Sequence, residues 1–452
     1  MIQTLTIARN TLVESLRQPV VILLVLLCGI FQVFNTWTTG YAMGYDESAE
    51  VTGDDKLMLD IAMATVFVLG MLMAAFIATA TMSREIENKT VLTVVSKPVS
   101  RVTVVIGKYL GVAGSLSIAV LSMLIFVLMG VRHGVMSTAA DVLDAPILTF
   151  GISAVVISLL VGAWGNYYYG WSFGQTSVVL MLPLLLLAYV GALIFTKEWK
   201  PQPIWTDFKP QVTLACMLLL FAILVMSSVA TAASTRLGQV MTIVVCAGVF
   251  VASLLSNHFV GRYAYSNQPL GQIDSIKIEN PLRPNFDGPG DEALVTLKQP
   301  PVTSPKVGSS FYFGPNPSGF DLASAPFPAL ADANGTPSWE SLLTPGNPAR
   351  LLITNADGQK LAIKQVGERP VALRTLPVSG DYAFTQPTKA NPAALGLWSA
   401  FPNLHFFYLI DAVTQNQKIP LEYAGLSLGY AALQVGAMLA LAVALFQTRD
   451  VG

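Results

Sequence analysis

The chain has 452 residues, of which 53% are hydrophobic and only 12% are charged, well below the roughly 25% charged residues of an ordinary soluble domain. Its mean hydropathy is +0.58, and several apolar runs reach the length of about 18 residues or more that a helix needs to cross a bilayer. The formal net charge of −1 provides no basic surface for nucleic acid. The composition therefore excludes a cytosolic enzyme, makes a nucleic-acid partner unexpected and predicts a polytopic α-helical membrane protein.

Residues 1–18 are predicted to form an amphipathic interfacial helix. Their apolar side chains recur at helical spacing, whereas polar and charged side chains fall on the other faces. A helix of this kind lies at the membrane surface with its apolar face toward lipid. The apolar positions are Ile2, Leu5, Ala8, Leu12 and Leu16, and Pro19 suits the first turn of the helix that follows.

Eight apolar runs predict membrane spans, with a transmembrane bundle over residues 19–260 and the last span and a cytoplasmic C-terminus over residues 421–452. The densest cationic segment close to the membrane follows the second run, which makes that side cytoplasmic, and Arg9 and Arg17 agree. The loop between the first two runs is acidic and suits the opposite side. The predicted spans cover residues 19–37, 57–82, 109–131, 146–164, 178–195, 212–233, 240–258 and 421–446.

The fourth and fifth spans have an alternative interpretation. Residues 165–177 should be cytoplasmic but contain no Lys or Arg, whereas the external residues 196–211 contain Lys197, Lys200 and Lys209. Broken or re-entrant helices are permitted where they are buried in protein or line a cavity. In that case the chain has six full spans, and the sidedness of all other segments stays the same.

Residues 261–401 form a Pro-rich domain that is predicted to be mostly β and to lie outside the cytoplasm. This stretch holds most of the 27 prolines and has no apolar run of membrane-spanning length. A strand is predicted at residues 293–298, and residues 351–354 and 361–365 flank Asp357 and Gly358 as a hairpin. The domain is a candidate substrate gate or docking site for an external partner, and composition does not distinguish these roles.

Residues 402–420, directly before the last span, are predicted to form a second interfacial helix. Four aromatic residues in and near this segment have two interpretations. They suit the aromatic belt at the headgroup level, or they belong to the core of the preceding domain. These residues are Trp398, Phe401, Phe406 and Phe407.

The cytoplasmic loop 83–108 combines charge with an apolar stripe. Ile86, Val91 and Val95 share one face of a short helix, which Pro98 ends because proline disfavours helical backbone before it. A second helix is predicted to start near Ser100 and to run into the third span. A solvated loop that only sets topology is the simpler interpretation, but these apolar residues need a partner surface.

The loop resembles the coupling segment of ABC-2 type exporter permeases. The similarity lies in Glu87 and Thr90, in the run from Ser96 to Arg101, and in the pair Gly107 and Lys108 that opens the next span. Three further stretches are similar to the same family, namely residues 234–237, 402–420 and 445–450. The resemblance does not cover the Pro-rich domain, and eight spans exceed the six that are usual in the family.

The resemblance implies the permease subunit of an ATP-driven exporter in the bacterial cytoplasmic (inner) membrane. Such a subunit pairs with a second permease subunit, identical or different, and docks on cytosolic ABC ATP-binding subunits. Lys97 and Arg101 have the alternative role of anchoring the loop to anionic membrane lipid. The residues assigned to coupling are Glu85, Ile86, Glu87, Thr90, Val91, Ser96, Lys97, Pro98, Arg101 and Lys108.

The chain carries no phosphate-binding motif of the GxxxxGK[ST] type, because Gly107 and Lys108 lack the upstream glycine and the following Ser or Thr. We therefore expect no ATPase site and no cofactor in this chain, with ATP and Mg²⁺ bound by the partner subunit. The sequence does not identify the transported substrate, since one fold can serve many substrates.

A membrane-embedded serine hydrolase is the competing hypothesis. Residues 170–174 spell GxSxG around Ser172, and His258 on a later helix is a conceivable base. The motif is weak, because the serine should sit on a turn between a strand and a helix and no strand is indicated here. His133 and His405 have no partner at metal-ligand spacing. The three cysteines lie in apolar runs and are interpreted as small buried hydrophobic residues.

Secondary transport is disfavoured because no ionisable residue away from the span ends marks a proton or ion relay. The nearest candidate is Asp60, which lies close to a span end and is expected at the interface.

Overall fold

The structure is a computed structural model. It describes residues 2–39, 53–82, 100–136, 143–278, 286, 288–301, 304–320, 322–324, 326–327, 349–373, 375–410, 413 and 419–447. The chain divides into two compact units. The first, called here the membrane unit, comprises Met1–Leu254 and Pro402–Gly452, and the second, called the β unit, comprises Leu255–Phe401.

Eight helices among the described residues are long and apolar enough to cross a membrane. A shorter helix, the N-terminal helix Ile2–Leu16, precedes them. This arrangement confirms the prediction of a polytopic helical membrane protein. The eight spans, numbered in chain order, are Pro19–Thr38, Gly53–Thr81, Arg101–His133, Ala145–Tyr169, Phe173–Leu193, Pro210–Ser234, Gln239–Ser256 and Leu421–Gln447.

Spans 4 and 5 are uninterrupted helices of 25 and 21 residues, unlike the broken helices of the alternative interpretation. Span 4 ends at Gly170, whose φ of +67° places it in the left-handed region that favours glycine. The side chain of Asn166 donates from Nδ2 to the carbonyl oxygen of Trp171 at 2.6 Å and closes the turn. Two full spans therefore follow each other through a turn of three residues.

Span 3 is longer than the sequence predicts, because it starts at Arg101 and ends at His133. Ser100 caps its first turn, since the Ser100 hydroxyl accepts a hydrogen bond from the backbone N–H of Thr103 at 3.1 Å. The helix of span 3 therefore includes ionisable residues near both of its ends. Lys108 is 5% exposed and Arg132 is 8% exposed within this helix. The sequence-based prediction of 109–131 was too short, because the charged residues at both ends interrupt the apolar run that defines the span.

The strands of the β unit, β1 to β8 in chain order, are Tyr265–Ser266, Gly271–Ile278, Glu292–Leu297, Tyr312–Gly314, Arg350–Asp357, Lys360–Val366, Tyr382–Phe384 and Lys389–Ala390. Six of them form an antiparallel sheet in the order β4-β7-β2-β3-β6-β5, and β1 and β8 form a separate pair. Residues 308–311, which lead into β4, donate to β5 at the opposite edge of the sheet: Gly308 N–H bonds the Ile353 carbonyl at 2.8 Å, and Phe311 N–H bonds that of Leu351 at 2.9 Å. The sheet therefore curls into a half-barrel.

The strand predicted at residues 293–298 is β3, and the predicted hairpin is formed by β5 and β6. Asp357 pairs with Lys360 at the turn, and Gly358 has the positive φ of +54° that a tight hairpin requires. Alternate side chains point into the core, as the period of a strand demands. The core includes Val295, Ile353, Ile363, Phe311 and Phe313, all buried.

The aromatic residues near the last span divide between the two units. Trp398, at the end of the helix Pro392–Ala400, packs against Tyr265 and Phe320 and donates from Nε1 to Asn257 Oδ1 at 3.2 Å within the β unit. Phe407 is fully buried in the membrane unit, and Phe406 is 38% exposed. For Trp398 and Phe407 the structure favours a core role. Within residues 402–420, Leu404–Phe406 form a short 3-10 helix, while residues 411–412 and 414–418 lie outside the described residues.

Arg350 in β5 provides a test of the energetics of the β unit. Its side chain is 3% exposed, and its Nε and Nη1 have no hydrogen-bond partner among the described residues. Burial lowers the pKa of this guanidinium, against a smaller opposing effect of Tyr312. A buried unsatisfied donor costs about 1–3 kcal/mol, so we expect Arg350→Met to raise the thermal unfolding temperature of the purified chain. The exposed Arg369 provides the control Arg369→Met, and a lower unfolding temperature for Arg350→Met alone would contradict this reasoning.

Candidate coupling site

The predicted coupling residues are partly described. Glu85, Ile86, Glu87, Thr90, Val91, Ser96, Lys97 and Pro98 lie outside the described residues. Arg101 and Lys108 are described, and both lie in the first turns of span 3. They belong to the end of the membrane unit that also carries the N-terminal helix, which we call the N-terminal side.

The N-terminal helix packs directly on span 3 through a row of glycines at positions 107, 111 and 114. A Cβ atom added to Gly111 would lie 2.6 Å from the Ala8 carbonyl oxygen and 2.9 Å from the Leu12 nitrogen. Small residues at this spacing allow helix backbones to approach closely. The N-terminal helix is therefore seated against the protein along this glycine row.

The face of the N-terminal helix that packs on the protein combines part of its apolar face, Leu12 and Leu16, with polar residues. Thr11 and Ser15 are buried, and the Ser15 hydroxyl donates to the Thr11 carbonyl oxygen at 2.7 Å. Ile2 and Leu5 are instead 83% and 60% exposed. This intrahelical hydrogen bond satisfies the Ser15 hydroxyl, so that Ser15 can be buried without an unsatisfied donor.

Lys108 ties the start of span 3 to the end of span 2. Its ammonium group is buried and donates from Nζ to the carbonyl oxygen of Thr81, the last helical residue of span 2. The last carbonyls of a helix have no intrahelical partner and carry a partial negative charge. Lys108 therefore caps span 2, which enters loop 83–99 just beyond.

Arg101 contacts the end of span 8. Its Nη1 donates to the carbonyl oxygens of Phe446 at 3.0 Å and Gln447 at 2.9 Å, and its guanidinium carbon lies 5.7 Å from the centre of the Phe446 ring. Arg236, in the connection between spans 6 and 7, donates from Nε to the carbonyl oxygen of Leu445 at 3.0 Å. Two arginines thus bond the last described turn of span 8.

A small apolar cluster lies at the same end and joins four helices. Phe446 and Ala442 from span 8 pack with Val105 from span 3, Ala232 from span 6 and Met82 from the end of span 2. Phe446 is 1% exposed and Val105 is fully buried. The ends of spans 2, 3, 6 and 8 are therefore packed together beside the two ends of loop 83–99.

The opposite end of span 3 carries a second buried arginine. Arg132 donates from Nε to Asp207 at 3.1 Å, approaches Asp144 Oδ2 to 3.3 Å through Nη1, and donates from Nη2 to the Phe195 carbonyl oxygen at 2.5 Å. Asp144 is fully buried and accepts from the Ile147 N–H at 3.1 Å, which caps span 4. This outer arginine cluster connects spans 3 and 4 with the segment between spans 5 and 6.

Two cavities adjoin the outer arginine cluster. A polar one of about 450 Å³ is lined by Arg132, Asp144 and the charged residues of the 196–207 segment. An apolar one of about 470 Å³ lies between spans 1, 3 and 4. Its lining is almost entirely hydrocarbon, with Gln32, Thr36 and His133 as polar exceptions. The polar cavity has equal numbers of acidic and basic side chains, which does not favour a particular ligand charge.

The GxSxG segment is a helix-to-helix turn. Gly170 ends span 4, and Ser172 precedes the first residue of span 5 without a side-chain capping bond. The described surroundings contain no strand leading into Ser172, so the nucleophile elbow that the motif requires is missing. Nothing in this geometry supports the serine hydrolase hypothesis.

The histidines singled out in the sequence make local contacts. His133 Nδ1 lies 3.1 Å from the Gly134 carbonyl oxygen, and His405 Nε2 lies 3.1 Å from that of Leu254. Within the described ranges, no three His, Cys, Asp or Glu residues converge to hold a metal ion. The cysteines Cys28, Cys216 and Cys246 are buried and free.

Residues 5–164 match the model of a family described as ABC-2 family transporter protein. The matched stretch starts in the N-terminal helix, contains residues 83–108 and ends within span 4. It confirms the resemblance to ABC-2 type permeases over this part of the chain, and the eight spans among the described residues identify a multi-pass membrane protein. No curated protein and no solved structure matches the chain.

Proposed function

We propose that the chain is the permease subunit of an ATP-driven ABC-2 type exporter, acting with a separate cytosolic ATP-binding subunit that binds ATP and Mg²⁺. A second permease subunit completes the membrane pathway. In this proposal the chain lies in the bacterial cytoplasmic membrane, with the N-terminal side toward the cytoplasm and the β unit outside. This assignment gives the chain a transport role and no hydrolytic site of its own.

The observation that carries the proposal is the set of contacts made by the residues on either side of loop 83–99. Both ends of this loop are anchored, because Lys108 caps span 2 and Arg101 holds the end of span 8. Through these contacts, a displacement of the residues that flank the loop reaches spans 2 and 8. The N-terminal helix, seated on the glycine row of span 3, provides a second element that an ATPase subunit can displace.

The charge distribution supports the orientation. The N-terminal side carries Arg9, Arg17, Arg101, Lys108 and Arg236, as the excess of Lys and Arg on cytoplasmic segments requires. The β unit follows span 7, the seventh crossing, so it emerges on the other side. The cationic residues between spans 5 and 6 are partly offset there, because Lys200 pairs with Glu198 at 2.7 Å.

The role of the loop is tested with Glu87→Ala in the complex purified with its ATPase subunit. Glu87 belongs to the segment that resembles the coupling helix, and Ala keeps helix propensity while removing the charge. We expect transport per ATP hydrolysed to fall about fivefold or more, the range of a typical coupling free energy. The matched control is Ser172→Ala, which alters another turn predicted on the same side and should leave the ratio unchanged.

Two outcomes contradict the proposal. An unchanged ratio in Glu87→Ala removes the coupling role of the loop. Loss of hydrolysis in Ser172→Ala returns attention to the GxSxG segment as a catalytic site.

A further inference from the structure

The apolar cavity of about 470 Å³ between spans 1, 3 and 4 is a candidate binding site that the coupling role does not use. On span 1 its lining runs from Leu26 to Trp37, in the C-terminal part of the helix. On span 4 it runs from Ile147 to Val156, near the start of the helix. The cavity, called here the span 1–4 cavity, therefore lies at the end of the membrane unit opposite the N-terminal side.

The depth of the span 1–4 cavity matches one leaflet of a bilayer. Leu26 and Trp37 are 37 − 26 = 11 positions apart on span 1, which at the helical rise per residue is about 16 Å. The hydrocarbon core of a bilayer is about 30 Å thick, so each leaflet contributes about 15 Å. The lining thus follows the helices over the distance that one acyl chain covers in its leaflet.

The cavity is a recess in the surface of the membrane unit. Ile30 and Phe34 of span 1 and Ile152 of span 4 line it and are exposed, so they flank its opening. Met129 of span 3 and Ile147 of span 4 also line it and are each 5% exposed, so they form its floor. Because the lining is almost entirely hydrocarbon, the recess suits an apolar occupant that enters from the side.

The shape of the opening favours a flexible chain over a helix of another subunit. Helices approach each other closely in membranes where small residues line the contact. Here the opening is flanked by the large exposed side chains Phe34, Trp37 and Ile152, and a helix laid across them would leave the floor uncovered. Gly29 offers no seat for such a helix, since an added Cβ would already lie 3.1 Å from a ring carbon of Phe126.

We propose that the span 1–4 cavity binds one acyl chain of a membrane phospholipid. Protein interiors are packed with few voids larger than a water molecule, and a hydrocarbon chain supplies the dispersion contacts that the lining of an empty recess lacks. The bound chain completes the packing between spans 1 and 4. Assignment of this lipid to the outer leaflet rests on the orientation in the proposed function, whereas the binding itself does not.

The test uses the full chain in vesicles of phosphatidylethanolamine and phosphatidylglycerol. The probe is a phosphatidylethanolamine with a diazirine near the end of one acyl chain, and its light-induced adducts are mapped by mass spectrometry. Residues 126–133 of span 3 report on the cavity, because four of them line it and none of the eight is exposed. The exposed Leu426 and Leu433 of span 8 report on the surrounding lipid. We expect adducts in both segments.

Gly151→Leu is designed to fill the cavity. An added Cβ at Gly151 would lie 3.5 Å from Met129 Sδ, an ordinary contact, so the leucine can extend into the recess without a backbone clash. Since overpacking displaces an occupant, we expect adducts in residues 126–133, relative to those in span 8, to fall at least about fivefold. If Gly151→Leu fails to insert, Leu148→Trp, which enlarges another lining residue, takes its place.

The matched control is Gly248→Leu in span 7, where an added Cβ meets no described atom within 4 Å. It introduces the same side chain into another membrane helix away from the cavity. The ratio of adducts in residues 126–133 to those in span 8 should stay within about twofold of that in the unaltered chain.

Two results overturn the proposal. The first is an unaltered chain with adducts in span 8 and none in residues 126–133, which shows that the cavity is empty or is covered by a second subunit. The second is an adduct ratio that neither cavity-filling variant lowers, because those adducts then arise outside the cavity. Neither result depends on an ATPase subunit, so this test stands even if the proposed function fails.

Discussion

Replacing Gly111 by leucine is expected to separate the N-terminal helix from span 3 and to abolish transport. Even the first added carbon atom would lie 2.6 Å from the Ala8 carbonyl oxygen and 2.9 Å from the Leu12 nitrogen, which are backbone atoms that cannot rotate away. Overpacking of a close contact costs about 1–3 kcal/mol, and here the cheaper response is displacement of the whole N-terminal helix. Thermal unfolding of the purified chain and transport activity in the assembled complex measure the two effects.

Two controls distinguish this contact from a general intolerance of large residues. Gly248 in span 7 has no atom within 4 Å of an added Cβ, so Gly248→Leu should be tolerated by the isolated chain. At Gly114 an added Cβ would meet only the movable side chain of Leu12, so Gly114→Ala should have a small effect. Equal unfolding temperatures for Gly111→Leu and Gly248→Leu would show that the N-terminal helix is not held by the glycine row.

Replacing Arg132 by alanine is expected to have the largest effect on stability. The substitution leaves Asp144, which is fully buried, and Asp207, whose side chain is 36% exposed, without their shared cation. Breaking a buried ion pair by removing one partner costs about 3–5 kcal/mol, and the partial exposure of Asp207 reduces its share. The measurement is thermal unfolding, together with the amount of inserted protein. Lys200→Ala, which removes an exposed partner of Glu198 at the same cavity, should change stability by less than about 1 kcal/mol.

The double variant Arg132→Met, Asp144→Asn tests the electrostatic reason for that loss. It removes the buried cation and the buried anion together, and asparagine still caps span 4 by accepting from the Ile147 N–H. We expect it to be more stable than Arg132→Ala, because removing both partners leaves no unpaired buried charge at Asp144. A double variant that is less stable than Arg132→Ala would show that packing, and not charge, holds the outer arginine cluster.

The spans and the β hairpin could be predicted because their signals are local. Apolar runs of bilayer length define the spans, and Asp357 followed by Gly358 between two apolar runs defines the hairpin of β5 and β6. Loop 83–108 was recognisable because charged and apolar residues alternate there in an order that resembles a family segment. Its central residues lie outside the described ranges, so the coupling role of Glu87 remains a prediction.

The arginine clusters could not be predicted in the same way, because they join residues far apart in the chain. Arg132 meets Asp207 across 75 positions and Arg101 meets Phe446 across 345. A prediction from apolar runs ends each span at such charged residues, and it cannot show that they are buried within the protein. One usable signal was present at the other contact, since Gly107, Gly111 and Gly114 fall on one face of span 3 and indicate close helix packing. Their partners on the N-terminal helix, which include Ile7, Ala8, Thr11 and Leu12, mix apolar and polar residues and gave no such indication.

The most direct test of the central claim is to purify the tagged chain from its native membrane in mild detergent and to identify its partners by mass spectrometry, followed by an ATPase assay. We expect recovery of an ATP-binding subunit with a phosphate-binding loop and ATP hydrolysis that vanadate inhibits. A chain that purifies alone and shows no nucleotide hydrolysis in its native membrane would contradict the assignment as an ATP-driven permease subunit.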